Sequence, residues 1–182
     1  MRRPHFTVGL SLLLATACAT TRPPADSLAI SVVRDATPSW QPFRSAAARY
    51  DVEFPAEPEP ADESLSLPGG SVAMVGTRFA DASYLVSVVE AREAFATPEA
   101  RASALETYPA ELVQRLQGAV VSDERREVAG WPARSVEIAA ERGVTRVLVV
   151  PTPERLYLVG VATRGGSIPG EAQRFLGSFR PE

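Results

Sequence analysis

Few kinds of side chain in this 182-residue chain could perform chemistry. The sequence contains no lysine, a single histidine (His5) and a single cysteine (Cys18), so its other reactive groups are carboxylates, hydroxyls and arginines. Beyond residue 18 this composition excludes a Ser-His-Asp triad, a Schiff-base or phosphate-loop lysine, and a zinc, haem or thiol site of ordinary composition. We therefore predict that the protein is not an enzyme, with no catalytic residue, no cofactor and no metal, although carboxylate chemistry has to be weighed.

One group of carboxylates crowds a single Pro-rich loop, residues 56–70. A calcium site would need several oxygens that converge on one point, and the loop lacks the D-x-D-x-D-G pattern of a dedicated site. The prolines between the acids favour an extended backbone. We interpret the group as a solvated acidic loop, with a calcium site as the alternative. Its members are Glu57, Glu59, Asp62 and Glu63.

A second set of acids consists of Glu90, Glu93 and Glu106. Two of them could form a glycosidase-like acid pair only if they lay several ångströms apart in a cleft. Their spacing does not indicate this. We expect surface acids that pair with Arg92 and Arg101.

Two features suggest contact with a partner. Trp131 stands between Gly130 and Pro132 in an expected tight turn, where it either is exposed and contacts a protein or ligand, or folds back over the end of the sheet. The mixed-charge run 123–127 falls on an expected edge strand. Such an edge either docks a partner strand or, as we prefer, is protected by its charges from aggregation.

The first 17 residues have the organisation of an export signal. Arg2 and Arg3 precede the apolar run VGLSLLL, which is far shorter than the roughly 20 residues of a membrane-spanning helix. The segment that follows, Ala15-Thr16-Ala17-Cys18, resembles the lipobox of bacterial lipoproteins, although residue 15 is Ala where Leu is usual. The resemblance implies that Cys18 is acylated and becomes the first residue of a membrane-anchored chain. The alternative is an ordinary secretory signal, cleaved after Ala17 or Ala19, with Cys18 incidental.

The lipobox resemblance also predicts a location. Ala19, rather than Asp, follows the cysteine, which favours the outer membrane with the domain facing the periplasm. Loss of Arg2 and Arg3 with the signal would change the formal charge from −3 to −5. This mildly acidic, dispersed charge argues against a nucleic-acid partner.

The pattern of apolar, polar and turn-forming residues predicts the helices and strands that position these side chains. We predict a tether over residues 18–39 and a single domain over residues 40–182. The run LAISVV (28–33) in the tether is either a short docking strand or an apolar patch, and Trp40 covers the start of the domain. The predicted domain elements are a strand over 50–54, a hairpin of strands 72–79 and 84–91, a helix over 97–116 that Pro109 kinks or divides, a four-strand meander over 120–128, 133–140, 144–150 and 156–163, and a helix over 170–176 before Phe179. This order favours an α+β domain with an antiparallel sheet of six or seven strands.

Two segments resemble one family of domains. The strand YDVEFPAEP (50–58) is similar to the opening strand of PsbP/DcrB-like domains, and RLYLVGVA (155–162) with RFLGSF (174–179) is similar to their closing strand and helix. The resemblance covers roughly residues 40–180 and implies an α/β/α sandwich around an antiparallel sheet. It also implies binding or assembly instead of catalysis, and it transfers no functional residue to this chain.

The sequence thus predicts a membrane-tethered envelope lipoprotein that binds another envelope protein or a small ligand. The alternatives are a structural subunit of an envelope complex and a carboxylate-dependent hydrolase.

Overall fold

A computed structural model describes residues 37–61, 72–90 and 93–182 of the chain, which belong to the unit Asp35–Glu182. The predicted signal peptide, Cys18 and the tether up to residue 36 lie outside the described residues, as do Asp62, Glu63 and Arg92. None of the helices in the described ranges is long and apolar enough to cross a membrane. The elements are β1 (Gln41–Ser45), β2 (Tyr50–Phe54), β3 (Glu59–Pro60), β4 (Val72–Phe79), β5 (Ala82–Glu90), α1 (Pro98–Leu116), β6 (Ala119–Val128), β7 (Trp131–Ala140), β8 (Gly143–Pro151), β9 (Arg155–Thr163), α2 (Glu171–Ser178) and β10 (Arg180–Pro181).

Seven antiparallel strands form the main sheet in the order β3-β4-β5-β9-β8-β7-β6. The central strands β8 and β9 carry continuous apolar runs that are buried on both faces, as covered strands must be. The edge strand β6 is exposed along almost its whole length. The predicted α+β class, the antiparallel sheet and the edge position of residues 123–127 are therefore confirmed.

The opening strand β2 does not join the main sheet, contrary to the expectation of one sheet. It pairs with β1 and β10 in a separate three-stranded sheet. The reason is aromatic packing: the ring of Phe54 lies 5.1 Å from that of Phe175 in α2, and the ring of Tyr50 lies 5.7 Å from that of Phe179. The small sheet therefore packs as a layer on the main sheet, whose edges are taken by β3 and β6.

The two faces of the main sheet have different covers. The helix α1 packs on one face, against Val136, Ile138 and Val149 among others. The other face carries α2 and the three-stranded sheet, packed on Tyr84, Val86, Leu148 and Val159 among others. The expected α/β/α sandwich thus has one helical layer and one mixed layer.

The helix α1 begins as predicted, with Thr97 Oγ1 accepting a hydrogen bond from the backbone N–H of Ala100 and Pro98 at its start. It runs unbroken through Pro109, which contradicts the expected division into two helices, while the kink stays a prediction. Proline cannot donate to the carbonyl four residues earlier, that of Leu105. Arg134 donates to this carbonyl over 2.9 Å instead, so the acceptor that Pro109 leaves free is satisfied from β7.

Candidate functional site

The predicted acidic loop is only partly within the described residues. Glu57 and Glu59 are exposed, and Glu59 belongs to the two-residue strand β3. Both line a shallow depression of about 460 Å³ beside β4. Within the described ranges, no three His, Cys, Asp or Glu side chains converge as a metal site would require.

The predicted pairing of the second set of acids with Arg101 is wrong, whereas pairing with Arg92 lies outside the described residues. Glu106 pairs with Arg134 over 2.6 Å and with Arg125, not with Arg101. Glu90 pairs with Arg155 over 3.3 Å. Glu93 is exposed. The two paired acids are held by arginines of different strands, and this arrangement offers no carboxylate pair for glycoside hydrolysis.

Arg134, a residue of β7, is the centre of a charged cluster that includes Asp123 and Arg125 of the run predicted on the sheet edge. Its guanidinium donates to both carboxylate oxygens of Asp123, over 2.9 and 2.7 Å, and its side chain is only 17% exposed. These hydrogen bonds lower the pKa of the Asp123 carboxyl and raise that of Arg134. Together with the bond to Leu105, they join β6, β7 and α1, which gives this cluster a structural role.

Trp131 is half-buried and packs against the core on the α2 side of the sheet. The guanidinium carbon of Arg101 lies 5.7 Å from its ring centroid, and Arg101 is itself fixed by hydrogen bonds to the carbonyls of Phe95 and Ala96. This is the fold-back arrangement of the two that the sequence allowed. Contact of Trp131 with a partner stays a prediction, directed at its exposed side.

A buried arginine lies at the end of the main sheet where Trp131 is found. The Arg155 side chain is only 9% exposed, and it donates to the Ala47 carbonyl and to Glu90. Nearby, the hydroxyl of Tyr157 contacts the carbonyls of Ala48 and Arg49, over 2.9 and 3.1 Å. These bonds fasten the β1–β2 turn to β9.

A concave feature lies at the opposite end of the main sheet. It is a cleft of about 700 Å³ where the β4–β5 turn, the C-terminal end of α1, the β7–β8 turn and the end of β9 meet. We call it the arginine cleft, and its charged lining residues are Arg78, Arg115, Arg142, Arg164, Asp81 and Glu141. Sequence reasoning missed these arginines, although each stands beside a turn or at the end of an element.

Gly143 allows two walls of the arginine cleft to lie close together. Gly143 has a φ of +137°, and a Cβ placed there would lie 1.9 Å from the carbonyl oxygen of Thr163. Only glycine permits this approach of the β7–β8 turn to the end of β9. Arg142 and Arg164 are thereby brought to the same side of the cleft.

Comparison with known proteins identifies the fold. The solution structure of cyanobacterial PsbP (CyanoP) from Synechocystis sp. PCC 6803 superposes with a TM-score of 0.59 at 11% identity, over 92% of this chain and 98% of that one. The chain has a PsbP-like fold. This confirms the fold that the residues 50–58 and 155–179 implied.

The other comparisons give no further information about the fold or the function of this chain. A crystal structure from Bacteroides thetaiotaomicron matches with a TM-score of 0.43 at 10% identity, over 78% of this chain and 48% of that one. No protein-family model and no curated protein sequence matches the chain. For the PsbP-like domain described above, function therefore has to be argued from its own residues.

Proposed function

We propose that this protein is a lipid-anchored envelope module that acts by binding and not by catalysis. The observation that carries the proposal is the position of the single thiol: Cys18 directly follows the small residues that end an export-signal pattern. Acyl chains on an N-terminal cysteine give stable anchoring where one chain alone would be marginal. The cell envelope, with an outer-membrane anchor and a periplasm-facing domain, is the proposed location.

The composition of the domain supports a binding role. Residues 37–182 contain no His, Lys or Cys, so the usual nucleophiles, bases and metal ligands of hydrolases are not available there. The acids weighed for catalysis pair with arginines that join elements of the fold. The PsbP-like fold is compatible with an accessory module, although fold alone does not assign a function.

Fractionation of cells tests the anchor. The wild-type chain should be recovered with the membrane fraction and should take up label from an alkyne fatty acid. The variant Cys18→Ala should appear in the soluble envelope fraction without label, while Ser11→Ala, a change of similar size within the signal, should behave as the wild type. Retention of unlabelled Cys18→Ala in membranes would contradict the proposal.

Affinity capture tests the binding role. Tagged protein from detergent-solubilised envelopes should recover the same partner in independent preparations. Trp131→Ala should reduce that recovery, because the exposed side of this ring is the proposed contact. The matched control is Trp40→Ala, which removes a half-buried Trp near α2. Recovery of no reproducible partner would contradict binding to an envelope protein and also the alternative of a structural subunit of an envelope complex, because either would be captured with its neighbours.

A further inference from the structure

Three arginines of the arginine cleft differ from most of the others in the described domain. Most described arginines form ion pairs, hydrogen bonds to carbonyls or ring contacts. Arg78, Arg142 and Arg164 form none of these within the described residues, yet they line the same cleft. In a chain whose net charge is −3, this leaves one concave surface with uncompensated positive charge.

The acids of the cleft do not cancel this charge. Asp81 and Glu141 line it together with the three arginines and Arg115, so cations outnumber anions. Guanidinium groups present a planar fork of donors that matches phosphate oxygens. The cleft therefore has the charge and the donors to hold phosphate groups.

Exposed apolar side chains lie beside the same cleft. The large hydrophobic residues that are exposed within the described ranges are Leu116, Val120 and Val121, at 37%, 50% and 61%. Leu116 lines the cleft, and the valines begin the adjacent edge strand, where the register shifts between Val120 and Ser122. Arginines next to exposed aliphatic groups match a bilayer interface, which offers phosphates and acyl chains side by side.

The first described strand also begins at this end of the domain. Gln41, the first residue of β1, pairs with Phe54, whose ring packs on Phe175. The ring of Phe175 lies 5.3 Å from that of Tyr84, and Tyr84 stands two residues from the β5 end that borders the cleft. The described chain therefore starts on the side of the arginine cleft.

We propose that the arginine cleft and its apolar rim form a docking face for the phosphate headgroups of an anionic bilayer. Arg78, Arg142 and Arg164 hold the phosphates, and Leu116, Val120 and Val121 contact the acyl region. The docking face deepens the proposed function and rests on it, because a lipid anchor at Cys18 would hold the domain close to a bilayer. Trp131, at the opposite end of the sheet, would then face away from the bilayer.

Vesicle binding by an unacylated chain tests the docking face. The chain from residue 18 with Cys18→Ser is mixed with vesicles of phosphatidylcholine alone or with phosphatidylglycerol added, and sedimentation measures the bound fraction. We expect clear binding only with the anionic lipid. Arg142→Gln with Arg164→Gln should weaken it roughly tenfold, because each arginine near an anionic surface contributes severalfold to the partition constant.

A matched double variant distinguishes an effect of the arginine cleft on vesicle binding from a general effect of net charge. Arg49→Gln with Arg126→Gln removes the same charge from the Trp131 end and should change binding less than about twofold. Val121→Ser should weaken binding at high salt, where the apolar contact remains while the ionic part is screened. Circular dichroism checks that each variant is folded.

Three outcomes would overturn the docking face: no binding to anionic vesicles, equal loss from both double variants, or saturable binding of inorganic phosphate without vesicle binding. The last would indicate a soluble anionic ligand. Because this chain carries no acyl group, failure here leaves Cys18 anchoring untouched. Release of wild-type protein into the soluble fraction of cells would overturn the anchor alone.

Discussion

The hydroxyl groups of two buried tyrosines differ in whether they have a hydrogen-bond partner. Tyr84 and Tyr157 are both fully buried on the α2 side of the sheet. The hydroxyl of Tyr157 contacts two carbonyls of the β1–β2 turn, whereas that of Tyr84 has no hydrogen-bond partner within the described residues. An unsatisfied buried hydroxyl destabilises a fold, and a satisfied one stabilises it.

We therefore predict opposite effects for two identical substitutions. Tyr157→Phe should lower the free energy of unfolding by about 1 to 2 kcal/mol, because it removes the hydroxyl donor of the Ala48 carbonyl, whereas the Arg49 carbonyl keeps the N–H of Glu182 as a donor. Tyr84→Phe should raise it by roughly 1 kcal/mol, because it removes only the unsatisfied group. Urea unfolding of the two variants measures this difference, and equal destabilisation by both would contradict the assignment.

The same tyrosines predict how stability depends on alkaline pH. Burial, followed by the charges of Glu171 and Asp81, raises the pKa of Tyr84 from 10.0 to about 12, and burial also raises the pKa of Tyr157. Because the pKa of each buried tyrosine is higher in the folded than in the unfolded chain, its un-ionised hydroxyl contributes to the stability of the fold. This contribution is complete below pH 10 and is lost as pH rises from 10 through 12. Absorbance at 295 nm should show little tyrosinate at pH 10 in the folded protein. Half-ionisation of the tyrosines near pH 10, without unfolding, would contradict it.

The helix α1 and the short strands β1 and β10 show which features of single elements can be predicted from the local sequence. Thr97-Pro98 predicted the start of α1 because capping depends on adjacent residues. The donor that replaces Pro109 at the Leu105 carbonyl was not predictable, because it is Arg134, a residue of β7. The strands β1 and β10 were also missed, since QPFRS lacks clear alternation and β10 has two residues.

Gly143 gives a prediction for the β7–β8 turn. Gly143→Ala should lower the free energy of unfolding by about 2 to 4 kcal/mol, because the Cβ would collide with the Thr163 carbonyl at a φ of +137°. Gly166→Ala is the control, since its Cβ would meet nothing within 4 Å, and it should change stability by less than about 0.5 kcal/mol. Thermal unfolding compares the two, and similar stabilities would contradict the packing of this turn.

At the scale of the whole molecule, the fold was more predictable than the site. Alternation and the apolar runs of β8 and β9 predicted the antiparallel sheet, but three-dimensional proximity of Arg78, Arg142 and Arg164 depends on which ends of the strands coincide. The strand order β4-β5-β9-β8-β7 places the β4–β5 turn, the β7–β8 turn and the end of β9 at the same end. No local pattern contains that information, whereas the Cys18 signal is entirely local.

The proposed lipid anchor depends on the chemical state of Cys18, and intact-mass spectrometry measures that state most directly. Protein purified from detergent-solubilised envelopes should begin at Cys18 and carry the additional mass of two or three acyl chains and a glycerol unit. An unmodified chain that begins at Cys18 or Thr20 would contradict the anchor and, with it, the proposed function.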